Sequence, residues 1–543
     1  MVFARRSTTL LAAIIASCAM VLSLTACISD NKTVVDGQTT VTSNSAGGVA
    51  VFTPSDGITL NQQTPLNKWA KLVPDLAKAL ADAGFKKGDI DHTTSDSLAK
   101  QSRAIQDFVV DHLSNNTTDD SGIAIAPDNM TLLVAPVVEA DASTRQYGDY
   151  ISQNLSTNDA TDGEATSDGE SSEDDSSKDD SSNTESDSTA SDEQAQAVDR
   201  LVSSLKLAKE SGMHVVLLGN SIEGYKPDAF VKFSDAQTIG KLQAEKMVSK
   251  LKLDKASKDN PKYIEVLLPY TAVDEKGNAN DSTFAQEAFR GIWQVLGSYY
   301  QKGVVESPSG TLDGKSTEND WQAVAYDAAK EGSTAKVLDK RLAKTDGQST
   351  LTRIDGIITM NDYIASEVVK ELDDLGYTGS AADINPQITI SGIVGNITGK
   401  KDLSRDAVPD PIKSPENDNA NDSSSSDDDA DEDTSASDKD RDSQWPLVTG
   451  YGAYVSNIPS IVNGKQWMTG MEDRQTIATD IAQACAKLNK DEALNSMPST
   501  RNSEVGGVKK IPTISEPLLA VSASNLKSAL IDPGYISLAD AGL

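Results

Sequence analysis

The sequence predicts an α/β protein made of two doubly wound parallel-sheet lobes. Three observations lead there. Short, wholly apolar runs alternate with segments of helical periodicity. Two successive runs end in small polar residues, Leu218-Gly219-Asn220 and Phe233-Ser234-Asp235, and a helical pattern follows through Gly240–Ala244. The chain has 543 residues, enough for two or three domains. In open α/β sheets ligands bind in the crevice beyond the carboxyl ends of the strands. Asn220 and Asp235 are therefore expected at the mouth of a cleft.

In chain order, Arg5-Arg6 precede an apolar run from Leu10 to Leu24 that ends Leu24-Thr25-Ala26-Cys27. A basic flank, a short apolar core and small residues before a cut describe a secretory signal over residues 1–26. The Cys after Leu-Thr-Ala resembles the acylation site of bacterial lipoproteins. That resemblance implies lipid on Cys27 and a place on the extracytoplasmic face of the cell membrane. The alternative is an uncleaved anchor, for which the run is short beside the ~20 residues a span needs. Residues 27–47 are Thr-, Ser- and Asn-rich without periodicity, and read as a flexible tether. Cys18 leaves with the signal, and Cys485 is then a lone thiol on a helical pattern, a small buried hydrophobe. No disulfide framework is expected.

The globular part opens with a strand at Gly48–Pro54. A helix over Leu66–Gly84 puts Trp69, Leu72, Val73, Leu76 and Leu80 on one face, with a start or kink expected near Pro74. Helices are predicted at Gln101–Leu113 and Val198–Gly212, and strands at Leu132–Val138, His214–Leu218 and Phe230–Phe233. Beyond Ala244, strands at Lys262–Leu268 and Ile354–Met360 alternate with helices at Phe284–Gln301, Tyr363–Leu375 and Trp321–Ala343, the last interrupted near Gly332. Two stretches compete for the next strand, Ile388–Val394 and Pro446–Gly452. A last helix is expected at Ile477–Leu488.

Two acidic stretches, about 158–194 and 417–442, are built of Ser, Asp, Glu and Thr. They cannot bury enough apolar surface to offset ordering, so they are expected to stay disordered, as solvated loops or weak cation binders. They carry much of the net charge of −33, which opposes nucleic-acid binding. Catalytic patterns are missing from the sequence: there is no P-loop, no Gly-x-Ser-x-Gly, and no acid/base pair at an identifiable spacing. The stretch Asp274–Asn280 superficially resembles a calcium loop, but Lys276 and Ala279 stand where an acid and the turn glycine belong. His92, His112 and His214 are scattered. The expectation is a non-enzyme with no cofactor and no metal.

Several of these segments carry a resemblance. Asn67-Lys-Trp69, Ser97–Val109 with Gln101 and Gln106, Leu132–Glu139, Gly240-Lys-Leu-Gln-Ala244, Asn361-Asp362, Ile458–Thr469 and Gly506–Pro512 resemble, in order, the motifs of sugar-binding proteins of ABC transporters, in the xylose- and multiple-sugar-binding branch. The resemblance runs from Gly48 to Tyr535 apart from the acidic stretches. It implies the type I periplasmic-binding-protein fold. One lobe would comprise 48–235 and 472–516, the other 236–471 and 517–543. A hinge of three crossings would lie near Asp235, Trp467–Met471 and Pro517–Val521. It also implies a small-molecule ligand, a carbohydrate, and an ABC permease as partner of a monomer. The polar positions depart from the family: its Asp-Arg is Gly219-Asn220 here, and its Gln-Asp is Ile393-Val394 or Tyr451-Gly452. Such losses weaken binding of ordinary sugars. A surface sensing or interaction protein that keeps the fold without sugar transport is therefore the alternative.

The candidate ligand residues are Lys68, Trp69, Glu139, Asn220, Asp235, Asn280, Asp281, Asp362 and Tyr451. They combine hydrogen-bonding groups with aromatic faces, as sugar pockets require. Each has a structural alternative. Trp69 would pack in the core, and Lys68 and Glu139 would be solvated. Asn220 would shape a turn, and Asp235 or Asp362 would cap a helix. Asn280-Asp281 would supply loop polarity.

Overall fold

The computed structural model describes residues 46–55, 65–115, 125–138, 144–157, 185–273, 280–343, 351–382 and 445–543. Cys27, Glu139, the stretch 388–394, the acidic stretch 417–442 and most of 158–194 lie outside them. No helix among the described residues is long and apolar enough to cross a membrane.

Apolar runs become strands buried on both faces. Gly48–Pro54 (β1), Met130–Val134 (β3), His214–Leu218 (β5) and Ala229–Val231 (β7) are almost wholly buried, as parallel strands covered by helices on both sides must be. Ile90–Ser95 (β2) is instead polar and mostly exposed, an edge strand that periodicity does not reveal. With the hairpin Thr500–Val505 (β15) and Val508–Ile514 (β16) they form a sheet of order β15-β16-β7-β5-β3-β1-β2. All neighbours are parallel except β15 and β16.

The second sheet is built alike. Lys262–Val266 (β8), Val305–Glu306 (β10), Gly356–Ile358 (β12), Leu447–Tyr451 (β13), Met468–Met471 (β14) and Leu519–Ser522 (β17) run in the order β10-β8-β12-β13-β14-β17. Only β17 is antiparallel. Of the two stretches competing for one strand, Leu447–Tyr451 holds the position between β12 and β14.

Each sheet starts one strand in from an edge, steps out to that edge, and then crosses back. The reversal falls between β1 and β3 in one sheet and between β8 and β12 in the other, where doubly wound folds bind ligands. Helices cover both faces. Helices Trp69–Asp82 and Arg474–Leu488 pack on one face of the first sheet through Leu72, Leu76, Ile477, Ile481 and Cys485. Leu98–Asn115 and Glu185–Glu210 pack on the other through Ile105, Val109, Leu201 and Leu205. In the second lobe Ala236–Leu251 and Thr283–Gln301 cover one face, and Ser333–Arg341 and Asp362–Leu375 the other. Two doubly wound lobes of type I periplasmic-binding-protein architecture result. The chain passes between them three times, after β7, after β14 and between β16 and β17.

Three expectations change. The Glu185–Glu210 helix begins inside the acidic stretch expected to be disordered. Once Ala197, Val198, Leu201 and Leu205 are anchored in the core, adding further helical residues costs little. The predicted Trp321–Ala343 helix is broken more deeply than by Gly332 alone. Trp321–Val324 is one turn, and Ala325–Tyr326 (β11) pairs with Leu268–Pro269 (β9). The helix resumes at Ser333 after Gly332, whose φ is 68°. The predicted helix at Leu66–Gly84 runs through Pro74 unbroken.

Candidate functional site

The carboxyl ends of the two sheets face one another across the three crossings. Lys68 has extended backbone and immediately precedes the Trp69–Asp82 helix. Its Nζ lies 2.6 Å from Asp149 Oδ1, and the Trp69 amide donates to Asp149 Oδ2 at 3.1 Å. One carboxylate thus meets both a cation and a helix N-terminus, where the dipole and free amides favour negative charge. The Trp69 ring is 3% exposed and packs edge-on against Tyr150 at 5.0 Å and Phe233 at 5.7 Å. Trp69 lines the interlobe face, but a neighbouring tyrosine of the same chain covers it.

Asn220 follows β5 and is buried. Its Nδ2 donates to the Pro136 carbonyl at 3.0 Å, and its Oδ1 accepts from the Gln153 amide at 3.0 Å. Asp235 caps the Ala236–Leu251 helix, accepting from the Thr238 amide at 2.7 Å, and pairs with Lys232 at 2.9 Å. Burial pulls its pKa up, but the bonds from Thr238 and Lys232 outweigh this and hold the carboxyl below its ordinary value. Asn280 donates to the Thr271 carbonyl at 2.8 Å, and exposed Asp281 accepts from the Thr283 amide at 2.9 Å, both within one loop.

Asp362 is fully buried at the start of the Asp362–Leu375 helix, whose cap is Asn361. Its carboxylate accepts from the Tyr454 amide at 2.9 Å, Gln466 Nε2 at 2.7 Å and Thr469 Oγ1 at 2.8 Å. Burial lifts its pKa to about 6 against the pull of these donors. Tyr451 is fully buried too, its hydroxyl 2.7 Å from Ser234 Oγ. Burial raises its pKa well above the usual phenol value.

Residues outside the candidate set complete the site. Glu472, 1% exposed, stands on the second crossing and accepts from both the amide (2.6 Å) and the hydroxyl of Ser234 on the first. Burial lifts its pKa to about 7. Asn361 donates to Gln146 Oε1 at 3.0 Å, and the Tyr454 hydroxyl donates to the Gln146 carbonyl at 2.7 Å. Backbone strain gathers at the same ends: Met360 after β12 and Ala453 after β13 sit at φ 69° and 50°, in the left-handed region. Ser234 and Glu472 each stand where an apolar strand gives way to a polar stretch, Phe233-Ser234-Asp235 and Met471-Glu472-Asp473, so nothing local in the sequence sets them apart. Among the described residues no group of three His, Cys, Asp or Glu side chains gathers in a way that would hold a metal.

The structure brings Lys68, Trp69, Asn220 and Tyr451 to the region between the lobes, all bonded or packed against the chain itself. Asp362 lies buried directly beneath it. Asp235 and Asn280-Asp281 serve helix and loop ends, and Glu139 is outside the described residues.

No family model matches the chain, and no curated protein matches it. Solved structures do. One is an ABC-transporter solute-binding protein from Clostridium phytofermentans with bound β-D-glucose, 17% identical, covering 91% of this chain and 99% of that one at a TM-score of 0.44. Another is a carbohydrate-transporter solute-binding protein from Chloroflexus aurantiacus in complex with D-glucose, 18% identical, covering 91% and 98% at 0.42. A third is an arabinose-binding protein from Geobacillus stearothermophilus, 10% identical, covering 89% and 99% at 0.42. Each of these three structures is described with a sugar that it binds.

Proposed function

We propose that this protein is a lipid-anchored extracytoplasmic solute-binding protein of an ABC importer. It takes a sugar or sugar-like molecule between its lobes and closes about the three crossings. Hinge closure of two α/β lobes is a recurrent way to enclose a small ligand. The lipid would sit on Cys27, and the closed monomer would dock on a permease. The observation that supports this most is the meeting of two sheet-reversal points. Trp69 and Asn220 stand on one side, Asn361 and Tyr454 on the other, an aromatic ring with donors and acceptors that Tyr150, Gln153 and Gln146 of the same chain now cover.

One observation favours a second reading, a surface sensing or interaction protein that keeps the fold. The interlobe groups of Lys68, Asn220 and Asn361 are already bonded to the segment Gln146–Gln153 of the same chain.

A thermal-shift screen of the soluble form from Asp30 onward separates the readings. Mono- and oligosaccharides, nucleosides and amino acids would be tested, with calcium apart. A solute at ~100 times its Kd should add about 2.7 kcal/mol of stability. A shift with one sugar class supports the importer; silence across the panel, in the wild type and in the variant described next, moves the reading to the interaction protein.

A further inference from the structure

The segment Thr144–Leu155, which follows β3 at the reversal point of the first sheet, lies between the lobes. Its side chains divide between the lobes in a way a surface loop does not. Tyr147 and Ile151 belong to the core of the second lobe, with Phe289, Met360 and Tyr451. Tyr150, three residues from Tyr147, belongs to the core of the first, with Trp69, Leu218 and Phe233. The Tyr147 ring sits 4.6 Å from Phe284 and 6.2 Å from Tyr451; the Tyr150 ring stacks on Phe233 at 4.7 Å.

The polar contacts divide in the same way. On the first lobe Asp149 takes Lys68 and the Trp69 amide, its own amide donates to the Asn67 carbonyl at 2.8 Å, and the Tyr150 hydroxyl donates to the Lys68 carbonyl at 2.5 Å. On the second lobe Gln146 takes Asn361 and Tyr454. Gly148 passes so close to Asn67 that a Cβ there would lie 2.5 Å from the Asn67 carbonyl oxygen, and its φ of 101° suits glycine alone. The segment belongs to neither main sheet. At its end Asn154–Leu155 (β4) pairs with Ser221–Ile222 (β6). The Tyr147 hydroxyl is buried without a hydrogen-bond partner among the described residues.

We propose that Gln146–Tyr150 is a built-in pseudo-ligand. It fills the interlobe site with an aromatic-carboxylate-aromatic element, holds the lobes together in the absence of solute, and leaves when a ligand enters. The cleft is on this account also a receptor for an extended peptide that presents a carboxylate to Lys68 and a tyrosine to each lobe. The inference rests on the contacts of the segment and not on a sugar being the ligand.

The test replaces Gln146–Tyr150 by a Gly/Ser linker of equal length in the soluble form, with Gly148→Ala as a milder second variant. A labelled peptide of the sequence Thr144–Leu155 is titrated against both and against the wild type. The peptide should bind the linker variant saturably. In the wild type the tethered copy competes at an effective concentration of order millimolar. A peptide with a Kd of ~10 μM should therefore bind the wild type on the order of 100-fold more weakly. Small-angle scattering should show the variant expanded relative to the wild type and recompacted by the peptide. Gly148→Ala should fall between the two. Equal binding to all three proteins, binding to none, or a linker variant that no longer folds would each overturn the proposal, the last by making the segment part of the core. The solute panel is run on the linker variant as well. A solute that binds wild type and variant alike also overturns it. No solute binding to either, with the peptide result intact, counts against the importer alone.

Discussion

Replacing Glu472 with glutamine should remove a pH dependence that the fold places at a crossing between its lobes. Glu472 is buried between Asn67, Ser234 and Tyr451, and Asp235 is the nearby like charge that also raises its pKa. Lys68 and Arg474 make their ion pairs elsewhere, with Asp149 and Asp75. Burial carries the carboxyl from 4.5 to about 7. A folded-state pKa above the unfolded one means that the native protein holds the proton more tightly. The stability this group contributes is complete below about pH 4.5, declines as pH rises, and is lost above about 7. Over that window the cost is about 3 kcal/mol. Glutamine is neutral throughout, and its Oε1 can keep both bonds from Ser234. The assay is urea unfolding of the soluble form, followed by tryptophan fluorescence and run from pH 4.5 to 8 on both proteins. Asp362 and Glu516, whose pKa values are raised to about 6 and 7, are common to the two and drop out of the difference. The variant should gain on the wild type steadily between pH 5 and 7, by about 3 kcal/mol in all. Parallel stability curves across that range would refute the reasoning, because Glu472 would then titrate as it does in the unfolded chain.

Three further outcomes follow from buried groups and caps. Arg341→Met should cost about 3–5 kcal/mol in urea unfolding, since it strands the fully buried Glu265 carboxylate, which Arg341 Nη1 now meets at 3.3 Å. Asp235→Ala should cost about 1 kcal/mol as a lost helix cap. Any added loss of solute affinity, read from the thermal-shift titration, would show whether Asp235 also touches ligand. Cys485, fully buried and with its thiol pushed up by burial, should ignore a thiol-reactive dye in the folded soluble form and react fully in urea.

Local pattern alone carried much of this architecture. The Thr283–Gln301 helix and the Asp362–Leu375 helix, closed by left-handed Gly376, are written in apolar spacing and turn residues a few positions apart. Short, fully apolar runs bounded by turn residues, such as Val215–Leu218 before Gly219-Asn220, fit a strand covered on both faces. Such signals are local, so one sequence suffices to read them. Tertiary structure decided everything that depends on partners far apart in the chain. It chose Leu447–Tyr451 as the strand beside β12, and it made polar Ile90–Ser95 an edge strand. It gave the helix cap to Asn361 and turned Asp362 inward to three donors, the farthest 107 residues away. It joined Ser234 to Glu472 across 238 residues, and it drew Gln146–Tyr150 between the lobes. A polar side chain offers the same donors and acceptors in a loop, a cap or a cleft. Only the groups that folding brings within about 3 Å of it determine which of these it serves.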